Sequence, residues 1–187
     1  MEILPTEIIF NIFTKLSLSD LCNLCLVSRK LYTIASDQTL WRYFILNIHV
    51  DQVLELDKIS TIPRLERLKT IAISGRGEKT THVRNMIKDS HFCQMRNMKY
   101  LDTITITNCN LSQVTLKLMS LLVDRLSSIT LDRSYLTKLH YHHMLKDLVF
   151  HKSLTKLSIV RPKYGLLDIA PTILANAVVT VREVTFR

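Results

Sequence analysis

A chain of 187 residues, 47% apolar and 22% charged, with a mean hydropathy of +0.15, can bury a sizeable core, and this composition excludes intrinsic disorder. Its three glycines, Gly75, Gly77 and Gly165, cannot spell G-x-G-x-x-G or G-x-x-x-x-G-K-[ST], so dinucleotide-binding and P-loop enzymes are excluded. The net charge of +9 lies wholly in residues 51–187, because residues 1–50 hold four basic and four acidic side chains.

Leucine and isoleucine number 30 and 18 against three glycines and four prolines, a bias toward stacked helices or a leucine-patterned repeat. No basic region leads into an apolar run at the N-terminus, and no stretch approaches the roughly 18 apolar residues of a membrane span. Cys22, Cys25, Cys93 and Cys109 form no dense framework, which suits a reducing compartment. The expectation is a soluble protein, cytoplasmic or nuclear, with no membrane partner.

Residues 3–46 read as four short helices. Pro5 fits a first helical turn, with Glu7 near the positive end of the helix dipole. At about 100° per residue, Ile8, Ile9, Ile12, Phe13 and Leu16 cover one broad face, and Phe10 points away from it. Ser19 is expected to cap a segment carrying Leu21, Leu24 and Val27, and Ser28 one carrying Leu31, Ile34 and Ala35. Asp37 or Thr39 then begins a last turn with Leu40, Trp41 and Phe44. A unit of about forty residues is too small to bury this many large side chains by itself. The rest of the chain or a second protein must cover the remainder.

Leu4-Pro5-Thr6-Glu7-Ile8, Ile12, Leu16, Asp20-Leu21, Leu24, Val27-Ser28-Arg29 and Ala35-Ser36-Asp37-Gln38-Thr39-Leu40-Trp41 together resemble an F-box, in sequence and in spacing. The resemblance implies docking on the Skp-type adaptor of cullin-RING (SCF) ubiquitin ligases. It places Leu4, Pro5, Glu7, Ile8, Ile12, Leu16, Leu21, Leu24, Val27 and Trp41 in the adaptor-binding set, with Trp41 fixing the last helix. Leu31 departs from the aromatic residue many members carry there, a change expected to affect local packing.

From residue 47 onward the pattern L-x-x-L-x-L recurs. Its copies are Leu68-Lys69-Thr70-Ile71-Ala72-Ile73, Leu101-Asp102-Thr103-Ile104-Thr105-Ile106, Leu126-Ser127-Ser128-Ile129-Thr130-Leu131, Leu154-Thr155-Lys156-Leu157-Ser158-Ile159 and Val181-Arg182-Glu183-Val184-Thr185-Phe186. Starting at residues 68, 101, 126, 154 and 181, they repeat every 25 to 33 residues, near the leucine-rich-repeat period. Each copy reads as a short strand, with helices expected over Thr80–Asp89, Ser112–Arg125, Leu136–Phe150 and Leu166–Ala177, and an irregular strand over Phe44–Val50 ahead of them. The fold class is therefore α+β: an F-box module over residues 1–46, then a short α/β leucine-rich-repeat solenoid over 47–187 with parallel strands on its concave face. Cys109 resembles the cysteine of the repeat type that often follows an F-box. The chain stops directly after the fifth copy without a polar cap, the pattern of a fragment or of an edge covered by a partner.

Outward strand positions should line the concave face. Thr103, Thr105, Thr107, Ser128, Thr130, Asp132, Arg133, Lys156, Ser158 and Arg161 are the candidate substrate-binding residues. Basic residues gather near the strand ends, at Arg76, Arg133, Arg161, Lys163 and Arg187, which favours an acidic or phosphorylated protein segment. The competing account of the hydroxyls is that β-branched and small residues suit a parallel sheet.

Catalytic and metal chemistry finds little support. Cys22-Asn23-Leu24-Cys25 lacks the second pair of a zinc site, and His140, His142 and His143, with Tyr141 and Met144 beside them, read as an exposed polar face. No string signals a converging nucleophile, base and stabiliser. The expectation is a non-catalytic substrate receptor of an SCF ligase, with no cofactor and no metal, that binds cullin and RING subunits through the adaptor and presents a target for ubiquitination and proteasomal degradation. The alternative is a basic repeat module for acidic partners or nucleic acid with no ligase role. Scattered basic residues with few neighbouring aromatics disfavour nucleic acid.

Overall fold

The computed structural model describes residues 4–50, 65–75, 87, 95, 98–111, 124–135 and 153–160, and the backbone of 183–186. Within them the chain runs through four helices, α1 (Thr6–Phe13), α2 (Leu18–Leu24), α3 (Arg29–Ala35) and α4 (Gln38–Trp41). Six strands follow: β1 (Ile45–His49), β2 (Thr70–Ser74), β3 (Thr103–Thr107), β4 (Ser128–Asp132), β5 (Lys156–Val160) and β6 (Glu183–Phe186). They form one sheet in sequence order with every neighbouring pair parallel. A small helical module followed by a parallel-stranded sheet is the expected fold class, and the sheet is consistent with an α/β repeat region.

Side-chain caps start three of the helices. Ser28 accepts the Leu31 N–H at 3.2 Å to open α3. At α4 the Asp37 carboxylate accepts both the Thr39 N–H at 2.7 Å and its hydroxyl at 2.6 Å, which settles Asp37 over Thr39 as the cap. The cap of α2 is Ser17 rather than Ser19. Ser17 accepts the Asp20 N–H at 3.1 Å and donates its hydroxyl to the Asp20 carboxylate at 2.6 Å, a reciprocal pair that needs an acidic residue three positions on. Pro5 lies one residue before α1 as its N-cap, and its carbonyl accepts the Ile8 and Ile9 N–H groups, each at 3.1 Å.

The leucine-patterned copies superimpose in the sheet. Ile71, Ile104, Ile129, Leu157 and Val184 share one rung position, and the first leucine of each described copy, Leu68, Leu101, Leu126 and Leu154, is buried. The hydrogen bonds outside the strands recur with the same period. The Lys69 carbonyl accepts the N–H groups of Asp102 and Thr103, that of Asp102 accepts those of Ser127 and Ser128, and that of Ser127 accepts those of Thr155 and Lys156, all at 2.8–3.1 Å. Beyond the strands, the N–H groups of Val50, Gly75, Asn108 and Arg133 donate to the carbonyls of Ser74, Thr107, Asp132 and Val160.

Phe44–Val50 contains β1, a regular parallel strand in register with β2 from Ile45↔Thr70 to His49↔Ser74. It spans the point between residues 46 and 47 at which the sequence divides the two modules. One hydrophobic core runs from Ile9, Phe13 and Leu21 through Leu40, Trp41 and Phe44 to the inward strand residues up to Ile159. The helical module thus completes its interior against the sheet. Trp41 ties α4 to its neighbours: its indole N–H donates to the Ala35 carbonyl at 2.7 Å, and its ring lies 6.4 Å from that of Phe44.

The helices expected between the strands fall largely outside the described residues, as do Cys93, the three clustered histidines, Arg76, Arg161, Lys163 and Arg187. Among the described residues, no helix is long and apolar enough to cross a membrane.

Candidate functional site

Two surfaces carry the residues singled out by sequence, and α1 organises the first. On this eight-residue helix Ile9 and Phe13, one turn apart, are buried, while Ile8 and Ile12, also one turn apart, are each 46% exposed. A step of about 100° separates the two pairs, so the broad apolar face splits into an inner stripe and an outer one. Leu4 extends the outer stripe at 53% exposure, and Pro5 and Glu7 are exposed beside it. Among the described residues the most exposed large apolar side chain is Leu26, at 86%, followed by Val27 at 68%, in the turn after α2.

The structure separates the expected adaptor-binding residues into three groups. Leu4, Pro5, Glu7, Ile8, Ile12 and Val27 are exposed, and Leu16 and Leu24 are half-buried against the core. Leu21 and Trp41 are fully enclosed. They shape the helices from inside and offer no surface to a partner, because both are spent on packing within this chain. Leu26 and Arg67 were not singled out by the sequence. Leu26 carries a signal, since at about 100° per residue it points away from the face shared by Leu21, Leu24 and Val27.

The exposed face of the sheet is the second surface. In register, Thr70, Thr103, Ser128 and Lys156 form one row, Ala72, Thr105, Thr130 and Ser158 the next, and Ser74, Thr107, Asp132 and Val160 the third. Strand β1 adds Ile45, Asn47 and His49 as a further rung. Most of these side chains are half-buried by their neighbours in the rows. Ser158, expected to face outward, shares the row of Ala72, Thr105 and Thr130 but, unlike them, is buried. Arg161 lies outside the described residues.

Arg133 follows β4 in a left-handed conformation at φ 48°, and Asn108 holds the equivalent position after β3 at φ 55°. Asparagine tolerates this region and arginine less readily. The Arg133 side chain stays close to its neighbour, with Nε 3.6 Å from the Asp132 carboxylate. One residue further on, Cys109 and Ser134 do the same work. The Cys109 thiol donates to the Thr107 carbonyl at 3.2 Å, and the Ser134 hydroxyl to that of Asp132 at 3.2 Å, each closing the turn after its strand.

Little in this set is chemically reactive. Burial, and then the neighbouring Cys25, push the Cys22 thiol above its ordinary value, which disfavours the thiolate that metal binding or exchange requires. Among the described residues no three His, Cys, Asp or Glu side chains converge as a metal site. The Asp37 carboxyl is held below the usual aspartate range by the hydroxyl and then the amide of Thr39, against the effect of burial and with a lesser contribution from Arg67.

A family model described as F-box-like matches residues 1–47. These residues cover all four helices and reach into β1. A search of curated proteins finds no match for the chain. An F-box-like domain implies a Skp-type adaptor as partner and an adaptor role in SCF ligases, and F-box proteins are in general non-catalytic.

Proposed function

We propose that this protein is the substrate-recognition subunit of an SCF ubiquitin ligase. The outer stripe of α1 and the turn after α2 dock on the Skp-type adaptor, through Leu4, Pro5, Glu7, Ile8, Ile12 and Val27 with Leu26 added, over the supporting Leu16 and Leu24. The sheet, read as five leucine-rich repeats over residues 47–187, receives a target protein on its exposed rows. Its contribution is positioning: it raises the effective concentration of the target at the charged ubiquitin-carrying enzyme and leaves the chemistry to other subunits.

One observation carries this reading. The F-box-like residues bury a core yet leave large apolar side chains on the outside of the module, among them Leu4, Ile8, Ile12, Leu26 and Val27. Scattered exposed apolar residues are ordinary, but this many in one small module mark an interface. Affinity purification of the wild type beside a Leu4→Ala/Pro5→Ala double variant tests it. Adaptor, cullin and RING subunits should be lost from the variant, and proteins retained by both are target candidates. Unchanged recovery of the adaptor would refute the docking assignment.

A further inference from the structure

The docking stripe and the sheet face belong to different parts of the chain, so positioning requires a fixed angle between them. Hydrophobic burial joins the two in one core, but such contacts are non-directional. A directional contact is present as well. Arg67, at the end of the short 3-10 turn Leu65–Arg67 that leads into β2, donates from Nη1 to the Ser36 carbonyl at 2.6 Å, across 31 residues of sequence and in a half-buried setting.

Ser36 is the C-cap of α3. Its carbonyl stands among those a helix leaves without an intrahelical partner, at the negative end of the helix dipole. A guanidinium is well suited to that place, because its charge strengthens the hydrogen bond and its planar fork fixes direction. Helix α3 in turn packs against both α1 and α2, so whatever holds α3 holds the docking stripe. The next residue, Asp37, caps α4 and is biased toward its charged form in part by Arg67. One arginine from the sheet therefore addresses the junction between α3 and α4.

We infer that Arg67 is a positioning residue: it clamps the C-terminus of α3 to the start of β2 and so sets the orientation of the adaptor-docking stripe relative to the sheet face. This role deepens the proposed function and rests on it for its meaning, although the clamp itself is a property of the chain alone. Arg125 provides an internal control. It makes a longer arginine-to-carbonyl bond, 3.5 Å to Met98, between two strand-leading turns of the sheet.

The test measures the distance distribution between spin labels carried on non-canonical amino acids at exposed positions Asn11 on α1 and Lys99 in the sheet region. It uses the full chain, first alone and then bound to the Skp-type adaptor. Arg67→Ala should at least double the width of the distribution, with adaptor affinity within threefold of wild type. Arg67→Lys, which keeps a cation at the helix end, should restore most of the narrowness, and Arg125→Ala should leave the width unchanged. A distribution in Arg67→Ala as narrow as wild type would overturn the assignment. Equal broadening in Arg125→Ala, or Arg67→Lys as broad as Arg67→Ala, would also overturn it. Should Arg67→Ala fail to fold, Arg67→Gln, which removes the charge and keeps a long side chain, takes its place: broadening is expected, and a width equal to wild type would overturn the assignment. Failure of the adaptor to bind any variant would instead count against the proposed function, since the distances in the unbound chain are read independently.

Discussion

Replacing Ile8 and Ile12 together with alanine separates the docking stripe from the core it lies on. Each side chain is 46% exposed, and complete burial of an isoleucine is worth about 1.5–3 kcal/mol. Covering the exposed part on docking therefore contributes roughly 0.7–1.4 kcal/mol per residue. Truncation at a well-packed interface also leaves a cavity, so the pair should cost docking about 1.5–3.5 kcal/mol. At 1.4 kcal/mol per decade this weakens adaptor binding about 10- to 300-fold. The fold should suffer much less. The packing that the inner half of each isoleucine supplies is partly replaced by alanine's better helix propensity, about 0.4 kcal/mol per site. A net loss near 1 kcal/mol corresponds to a fall in Tm of about 2–4 °C for a chain of this size. Titration calorimetry against the Skp-type adaptor, with a thermal melt of the same preparation, reads both quantities. Affinity within twofold of wild type in a folded variant would refute the assignment of α1's outer stripe.

Four further outcomes follow from the same geometry. Trp41→Ala should lower stability by about 3–5 kcal/mol, through the missing ring and its bond to Ala35, and reduce adaptor binding only as far as it unfolds the module, as seen by circular dichroism. Ser17→Ala should cost about 1 kcal/mol in chemical denaturation, the usual loss for a helix cap, while Ser19→Ala should be nearly neutral. Arg133→Gly should raise stability by about 0.5–1 kcal/mol, because glycine occupies φ 48° without the Cβ penalty. Asp37→Ala should lose about 1 kcal/mol at neutral pH. The folded-state pKa of Asp37 lies below the ordinary aspartate value of 3.8, so its stabilisation is full above that value and disappears as pH falls through the depressed one. The gap between wild type and Asp37→Ala should accordingly close in acid, and a gap constant with pH would contradict the cap.

Local signals with a strict period were legible before any coordinates. The L-x-x-L-x-L copies placed β2 to β6 and their rungs, since inward apolar residues at fixed spacing admit one register. Ser28 is legible as a cap, having a short polar side chain ahead of an apolar run, whereas the same rule admits both Asp37 and Thr39, and only the bonds to Thr39 separate them. Ser17 was missed because Ser19 stands nearer to Leu21, and only the reciprocal bond with Asp20 distinguishes them. Leu21 and Trp41 cannot be sorted from Ile8 and Ile12 by pattern, because helical periodicity reveals apolar stripes and not which stripe the rest of the chain covers. Alternation puts Ser158 in an outward row and does not say how deeply it is covered. Arg67 was invisible for a different reason: its partner is a backbone carbonyl 31 residues away, and main-chain acceptors leave no trace in sequence.

Amide hydrogen exchange of the full chain with and without the Skp-type adaptor reads the docking surface along the sequence. New protection is expected over residues 4–13 and 24–28, with none over β2 to β4, which must stay open for a target. Protection confined to the strand segments 70–74, 103–107 and 128–132, or no change anywhere at saturating adaptor, would contradict the docking assignment.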